Sequence, residues 1–190
     1  MIRIYYIAET NLNNQSAYSQ HVIKMCDAFL QNNFETTLFL PFQNKISYKK
    51  IYNDYSLKGK KKFLINSILK KNLTNFLDRL MFGFKVANII KKSKGSKLVI
   101  TRSLITSFCL SLNKINHILE IHSELRSVTK FLLINLNFIN SKYVKKVIFI
   151  SKALSKKFKI DKKNILILHD GVDIKNFKNK ITKNNLKNII

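Results

Sequence analysis

Residues 98–123 read LVITRSLITSFCLSLNKINHILEIHS, and the fold class follows from this stretch. Leu98-Val99-Ile100 and Ile118-Leu119-Glu120-Ile121 are short runs rich in β-branched and aliphatic residues. Such runs form strands. Between them Leu104, Ile105, Phe108, Cys109 and Leu112 recur at helical spacing, and Ser103 stands where a hydroxyl can cap the helix. A strand, a helix and a second strand within so short a span make a crossover that joins two parallel strands.

The same unit repeats outward in both directions. Downstream, Val147-Ile148-Phe149-Ile150 and Ile165-Leu166-Ile167-Leu168 are strands. Ser123 precedes a helical pattern of Leu125, Val128, Leu132, Leu136 and Ile139, and Ser151 one of Leu154 and Phe158. Upstream, the span from Ile2 to Ala8 is a strand, Tyr18, Val22, Met25, Cys26 and Phe29 mark a helix, and Thr36 to Leu40 is a strand stopped by Pro41. Residues 42–60 look irregular. From Lys61 to Lys94 the spacing is helical, with Asn72 and Gly83 predicting a division into two helices and Gly95 a cap. The strands are apolar almost throughout, as strands covered on both faces must be. The expected fold is α/β, a Rossmann-like doubly wound parallel sheet forming one domain over residues 1–173. Residues 174–190, rich in Lys and Asn, read as a linker or tail.

Composition bounds the function. The chain has 190 residues, 46% of them hydrophobic, which suits one packed domain rather than a disordered chain. Its net charge is +25. Such a field attracts anionic lipid or phosphate surfaces. Lysines scattered over the whole length equally fit a bias that fills solvent-facing positions. The two cysteines, Cys26 and Cys109, lie in apolar surroundings with no metal or disulfide spacing. No secretory leader precedes Glu9, and no apolar run reaches the roughly 20 residues that span a bilayer. A cytoplasmic protein is expected, one that can rest on the inner face of the membrane.

In an open parallel sheet, ligands bind at the carboxyl ends of the strands. Five clusters fall there: residues 9–16, Thr101-Arg102-Ser103, His122-Ser123-Glu124, Ser151-Lys152 and His169-Asp170-Gly171. Helices begin just after several of them, and helix N-termini suit anions. The serines also read as ordinary caps, Asp170-Gly171 as a turn, and His21 and His117 as structural. No phosphate-binding Gly-rich loop, nucleophile elbow or zinc-ligand spacing occurs. Dehydrogenase and P-loop chemistry therefore have little support, although the fold class alone permits either.

Three segments together resemble family-4-like glycosyltransferases of GT-B fold. They are Ile118 to His122, Val147 to Leu154 with Ser151-Lys152 at its centre, and Ile165 to Phe177 around Leu168-His169-Asp170-Gly171-Val172-Asp173. Their order and spacing agree with the N-terminal, acceptor-side domain of that family, over about residues 1–177. The resemblance implies transfer of a sugar from a nucleotide-sugar donor to a glycan or lipid-linked acceptor, with retention and without a metal or other cofactor. It implies that His122 points into the cleft as the catalytic polarising group. It also implies that Arg102 faces an anionic part of donor or acceptor, and that Asn14, Gln15 and Ser16 lie near the donor phosphates. Glu124, Ser151, Asp170 and Gly171 would line the same rim. Family members often carry glycines in the first loop, where this chain has Asn and Gln. The sequence also stops where a donor-binding domain would begin, so three readings stand open: a split enzyme whose partner is a C-terminal glycosyltransferase domain on a separate chain, a truncated remnant, or an excised domain. The competing reading is a non-enzymatic basic module that binds an anionic membrane or nucleic acid, nucleic acid being the less favoured because no motif for it occurs.

Overall fold

The computed structural model describes residues 2–44, 47–57, 62–123, 138–158, 160 and 164–169. Its centre is a sheet of seven strands: β1 (Arg3–Ile7), β2 (Glu35–Leu40), β3 (Leu64–Ser67), β4 (Lys97–Thr101), β5 (His117–Ile121), β6 (Val144–Phe149) and β7 (Ile165–Ile167). Every pairing is parallel, in the order β3-β2-β1-β4-β5-β6-β7. The chain builds outward from β1 to β3, then returns to the other side of β1 with β4. The order reverses between β1 and β4, and in such sheets ligands bind beside that reversal, at the carboxyl ends.

Helices cover both faces. Ile4, Tyr6, Ala8, Leu38, Leu40 and Ile100 pack on one side with Val22, Ile23, Cys26 and Leu30 of α1 (Ala17–Gln31) and Ile51 of α2 (Tyr48–Asp54). On the other side Tyr5, Ile7, Phe39 and Val99 meet Phe82, Val86, Ala87 and Ile90 of α3 (Phe76–Lys92) and Leu110 of α4 (Leu104–Leu112). Leu119, Ile121, Val147 and Phe149 form a third cluster with Leu154 of the short α5 (Lys152–Ser155). Both cysteines are buried, and burial pushes both thiols up, Cys109 to about 12. Among the described residues no helix is long and apolar enough to cross a membrane.

The region between β2 and β4 departs from expectation. Residues 48–54 form a helix capped by Ser47, not an irregular stretch. Residues 64–67 form the edge strand β3, not part of a helix, with Thr37 opposite Leu64 and Leu40 opposite Ser67. One unbroken helix, α3, follows instead of two. Gly83 does not break it: a β-carbon there would lie 2.8 Å from Cys109 Sγ, so the glycine is what lets α4 approach. Ser93, not Gly95, ends α3, and Gly95 takes φ +91° in the turn before β4. The helix expected from Ser123 to Ile139 lies mostly outside the described residues, as does the tail. Phe138–Asn140 is a 3-10 turn.

Candidate functional site

Glu120 is the focus of the polar rim. Its side chain is 7% exposed, in the interior strand β5, where the pleat aims it at the face covered by α1. Tyr6, in β1, donates its hydroxyl to Glu120 Oε2 at 2.9 Å. The other oxygen, Oε1, accepts from His21 Nε2 of α1 at 3.0 Å and from His122 Nε2 just past the strand. Arg102, just past β4, brings its Nε to 4.0 Å from the same oxygen. The two imidazoles stand edge to face with their centres 4.8 Å apart.

Burial alone would raise the Glu120 pKa. The hydrogen bonds from His122 and His21 and the charge of Arg102 outweigh it, and the carboxyl is held below the usual carboxylate range. Glu120 is therefore an anion that only accepts, and both imidazoles present their Nε2–H to it. Burial, with the Glu120 charge second, drives the Tyr6 hydroxyl well above its ordinary value, which keeps it a donor.

Arg102 lies in the same cavity, of about 300 Å³, with Tyr18, Leu104, Glu120, Ile121, His122 and Ser123. Its guanidinium stacks over the Tyr18 ring at 4.2 Å, and its side chain is 5% exposed. Its Nε and Nη1 are buried without a hydrogen-bond partner in the described structure. Buried donors left unpaired cost stability. They sit beside the first turn of α4, whose dipole also favours an anion. Burial pushes the Tyr18 hydroxyl up to about 12, so the ring beneath the guanidinium stays neutral.

A second network braces the rim from the opposite face. Glu9, just past β1, accepts from Arg79 of α3 at 2.6 Å and from the Ser103 hydroxyl that caps α4. It ties the N-termini of α3 and α4 to the end of β1.

Of the residues singled out from sequence, the fold brings His122 and Arg102 together. Ser16 and Ser151 act as caps, accepting from Ser19 N at 3.2 Å and Leu154 N at 3.1 Å. Asn14, itself exposed, ends a 3-10 turn, and Gln15 takes φ 43° before Ser16. These three stand at the start of α1, and none of them lines the His122 cavity. Glu124, Asp170 and Gly171 lie outside the described residues. His117 is structural: its Nδ1–H donates to the Ile115 carbonyl at 2.9 Å, and its Nε2 accepts from Ser107 at 2.7 Å. His21, expected to be structural, shares Glu120 with His122. Sequence reasoning missed Glu120, Tyr6, Tyr18 and His21. The one available signal was a carboxylate inside a strand otherwise apolar. Among the described residues, His21, Glu120 and His122 are also the group whose ligand atoms gather closely enough to hold a metal ion.

A larger cavity, about 760 Å³, lies beside the N-terminal halves of β1 to β3, away from this rim. Arg3 and Glu35 in its wall pair with each other at 2.9 Å, so it offers no comparable chemistry.

The parallel order, its reversal between β1 and β4 and the helices on both faces define a Rossmann-like doubly wound domain, with a polar cluster at the carboxyl ends of its strands. Its fold is similar to the crystal structure of a glycosyltransferase from Rickettsia africae ESF-5, with a TM-score of 0.62 and 16% sequence identity. The match covers 98% of this chain and 48% of that one, so this chain spans about half the length of that transferase. No family model and no curated protein matches the sequence.

Proposed function

We propose that this chain is the acceptor-side half of a glycosyltransferase of family-4-like, retaining GT-B type. It would serve transfer of a sugar from a nucleotide-sugar donor to a glycan or lipid-linked acceptor, as in cell-surface polysaccharide synthesis. The observation that carries the reading is the His122–Glu120–Arg102 cluster around a cavity at the carboxyl ends of β4 and β5. An anionic Glu120 accepts from His122 Nε2 and so fixes the ring beside the cavity, where it would meet a sugar hydroxyl through Nδ1. A group so fixed can polarise a sugar hydroxyl without reorganising during the reaction. Arg102, with buried donors unsatisfied, suits an anionic group on donor or acceptor. Asn14, Gln15 and Ser16, at the start of α1, would approach the donor phosphates. Ser151, Glu124, Asp170 and Gly171 would extend the rim. The transfer itself uses no metal in this reading. A donor-gripping domain, on this or another polypeptide, closes the cleft.

Nucleoside diphosphate release from UDP- and GDP-sugars, with a membrane lipid extract as acceptor, tests this. The chain of 190 residues alone is expected to release little. Release should appear on adding a donor-side domain and should fall at least a hundredfold with His122→Ala. Full release by the chain alone, or a His122→Ala variant as active as the parent, defeats the reading.

One observation favours a second reading, a membrane-binding module without catalysis. Helix α3 is apolar on its outward side as well as its inward one: Leu77 is 71%, Met81 41% and Phe84 43% exposed. Lys85, Lys91 and Lys92 flank this ridge. An anionic bilayer satisfies both features, each basic residue near it adding about 1 kcal/mol. A second copy would set these lysines against each other. Exposed lysines also lie on α2, β6 and α5, not along one groove, which favours a lipid surface over nucleic acid. The α3 ridge also serves the transferase reading, since a lipid-linked acceptor is met at the membrane. Loss of transfer with retained vesicle binding in His122→Ala separates the two.

A further inference from the structure

One ligand atom from each of His21, Glu120 and His122 lies within 4.8 Å of the others, the three residues coming from α1, from β5 and from just past β5. Two imidazoles and one carboxylate are the donor set of open zinc sites, where three protein ligands leave a fourth position free. The set is wrong for magnesium or calcium, which take oxygen ligands. Supporting contacts of the kind such sites need are already present. Tyr6 holds the remaining Glu120 oxygen at 2.9 Å, which turns Oε1 toward both imidazoles. Glu120 and His122 also line the cavity shared with Arg102 and Tyr18, which is where a fourth ligand would be accommodated.

We propose that His21, Glu120 and His122 form a three-ligand site for a transition-metal dication of the zinc class. Ligand atoms around such an ion stand about 3.4 Å apart at metal–nitrogen bonds of about 2.0–2.1 Å, so the imidazoles must close by roughly an ångström. A turn of His122 supplies this, because it lies beyond the end of the β5 ladder. Arg102, 4.0 Å from the shared oxygen, repels a dication. It therefore favours an anionic fourth ligand, which would sit between the ion and the guanidinium. The site does not depend on the transferase reading. Only its consequence does: an ion on His122 Nε2 displaces the proton shared with Glu120 and forces the other ring tautomer, so metal would switch transfer off.

The test is titration of the tag-free chain with Co²⁺, followed by visible absorption, and with Zn²⁺, followed by calorimetry. One ion per chain is expected, with Co²⁺ displaced by Zn²⁺. His21→Ala and His122→Ala should each weaken binding at least tenfold, and His169→Ala, which alters an exposed imidazole elsewhere, should not. Circular dichroism reports whether the variants fold. Ring resonances in the wild-type chain give a measurement free of substitution: those of His21 and His122 should move with Zn²⁺, and those of His117 and His169 should stay. Absence of stoichiometric binding overturns the proposal. So does binding that survives loss of both His21 and His122, or ring shifts confined to His169. Because no turnover is measured, an inactive chain that binds metal still supports the site.

Discussion

His117 supports a quantitative test of how the core tolerates charge. The ring is 1% exposed, with both nitrogens engaged as a neutral tautomer. Burial drives its pKa down from 6.5 to about 4, against the opposing bond to Ile115. Between these values the unfolded chain binds a proton that the folded chain refuses. Stability therefore rises with pH across this window and is lost as pH falls from 6.5 toward 4. Integrating one such group from pH 7 to pH 5 gives a loss of about 2 kcal/mol. Carboxylates contribute little there, since they stay largely ionised in both states. Urea unfolding at constant ionic strength reads this as a midpoint falling by about 1 M. His117→Gln lowers stability at every pH but removes this proton, so its midpoint should change less between pH 7 and pH 5 than the wild type's. The comparison also subtracts His21, His122 and His169, which remain in both proteins. Equal pH dependence in wild type and variant refutes the reasoning.

The other predictions rest on packing, on a hydrogen bond and on the exposed ridge. Gly83→Val should cost about 1–3 kcal/mol, because its β-carbon falls on Cys109 Sγ. Adding Cys109→Ala should return part of that loss in urea unfolding, a non-additivity the cycle measures. Tyr6→Phe removes the donor to Glu120 Oε2 and should cost about 1–3 kcal/mol, read as a lower melting temperature with an unchanged circular dichroism spectrum. Leu77→Asp with Phe84→Asp alters exposed positions only, so stability should hold within about 0.5 kcal/mol. The same variant should co-sediment less with anionic vesicles, and added salt should weaken the wild type's binding.

The strands that form the centre of the sheet are legible because burial on both faces leaves them almost wholly apolar. Edge strand β3 is not. Leu64 is exposed and Asn66 half-buried, so the run carries neither a solid apolar signal nor clean alternation. Phe63, Leu64, Ile68 and Leu69 then match a helical period by coincidence. What makes a strand of them is pairing with β2, a long-range fact. Gly83 misleads for a related reason. Glycine weakens a helix locally, and here the close approach of Cys109 outweighs that. The rim of the site was legible through the strand-end rule, which selected Arg102 and His122. Their partners were not. Glu120 and His122 share a face by pleat, but His21 joins them only because α1 lies across β5 at one particular rotation. No spacing within the sequence encodes that angle.

Fold stability gives no reason for the cluster to have the composition it has. A buried carboxylate with a buried guanidinium gains little over apolar residues of the same volume, since desolvation offsets the attraction. Arg102 does worse than that, because two of its nitrogens lack hydrogen-bond partners in the described structure. Each such donor costs about 1–3 kcal/mol. The surrounding layers are consistent: capped helices, apolar strands, and Glu9 paired with Arg79. Where every level agrees except one, the exception marks what the fold is built to present. Here the exception is a fixed anion that holds two imidazoles and faces an underused arginine across a cavity. A ligand bearing an anionic group would supply the missing partners, and its binding should raise the melting temperature more in wild type than in Arg102→Gln. Equal shifts in the two proteins would mean that Arg102 touches no ligand and that its unpaired donors are a cost without a return.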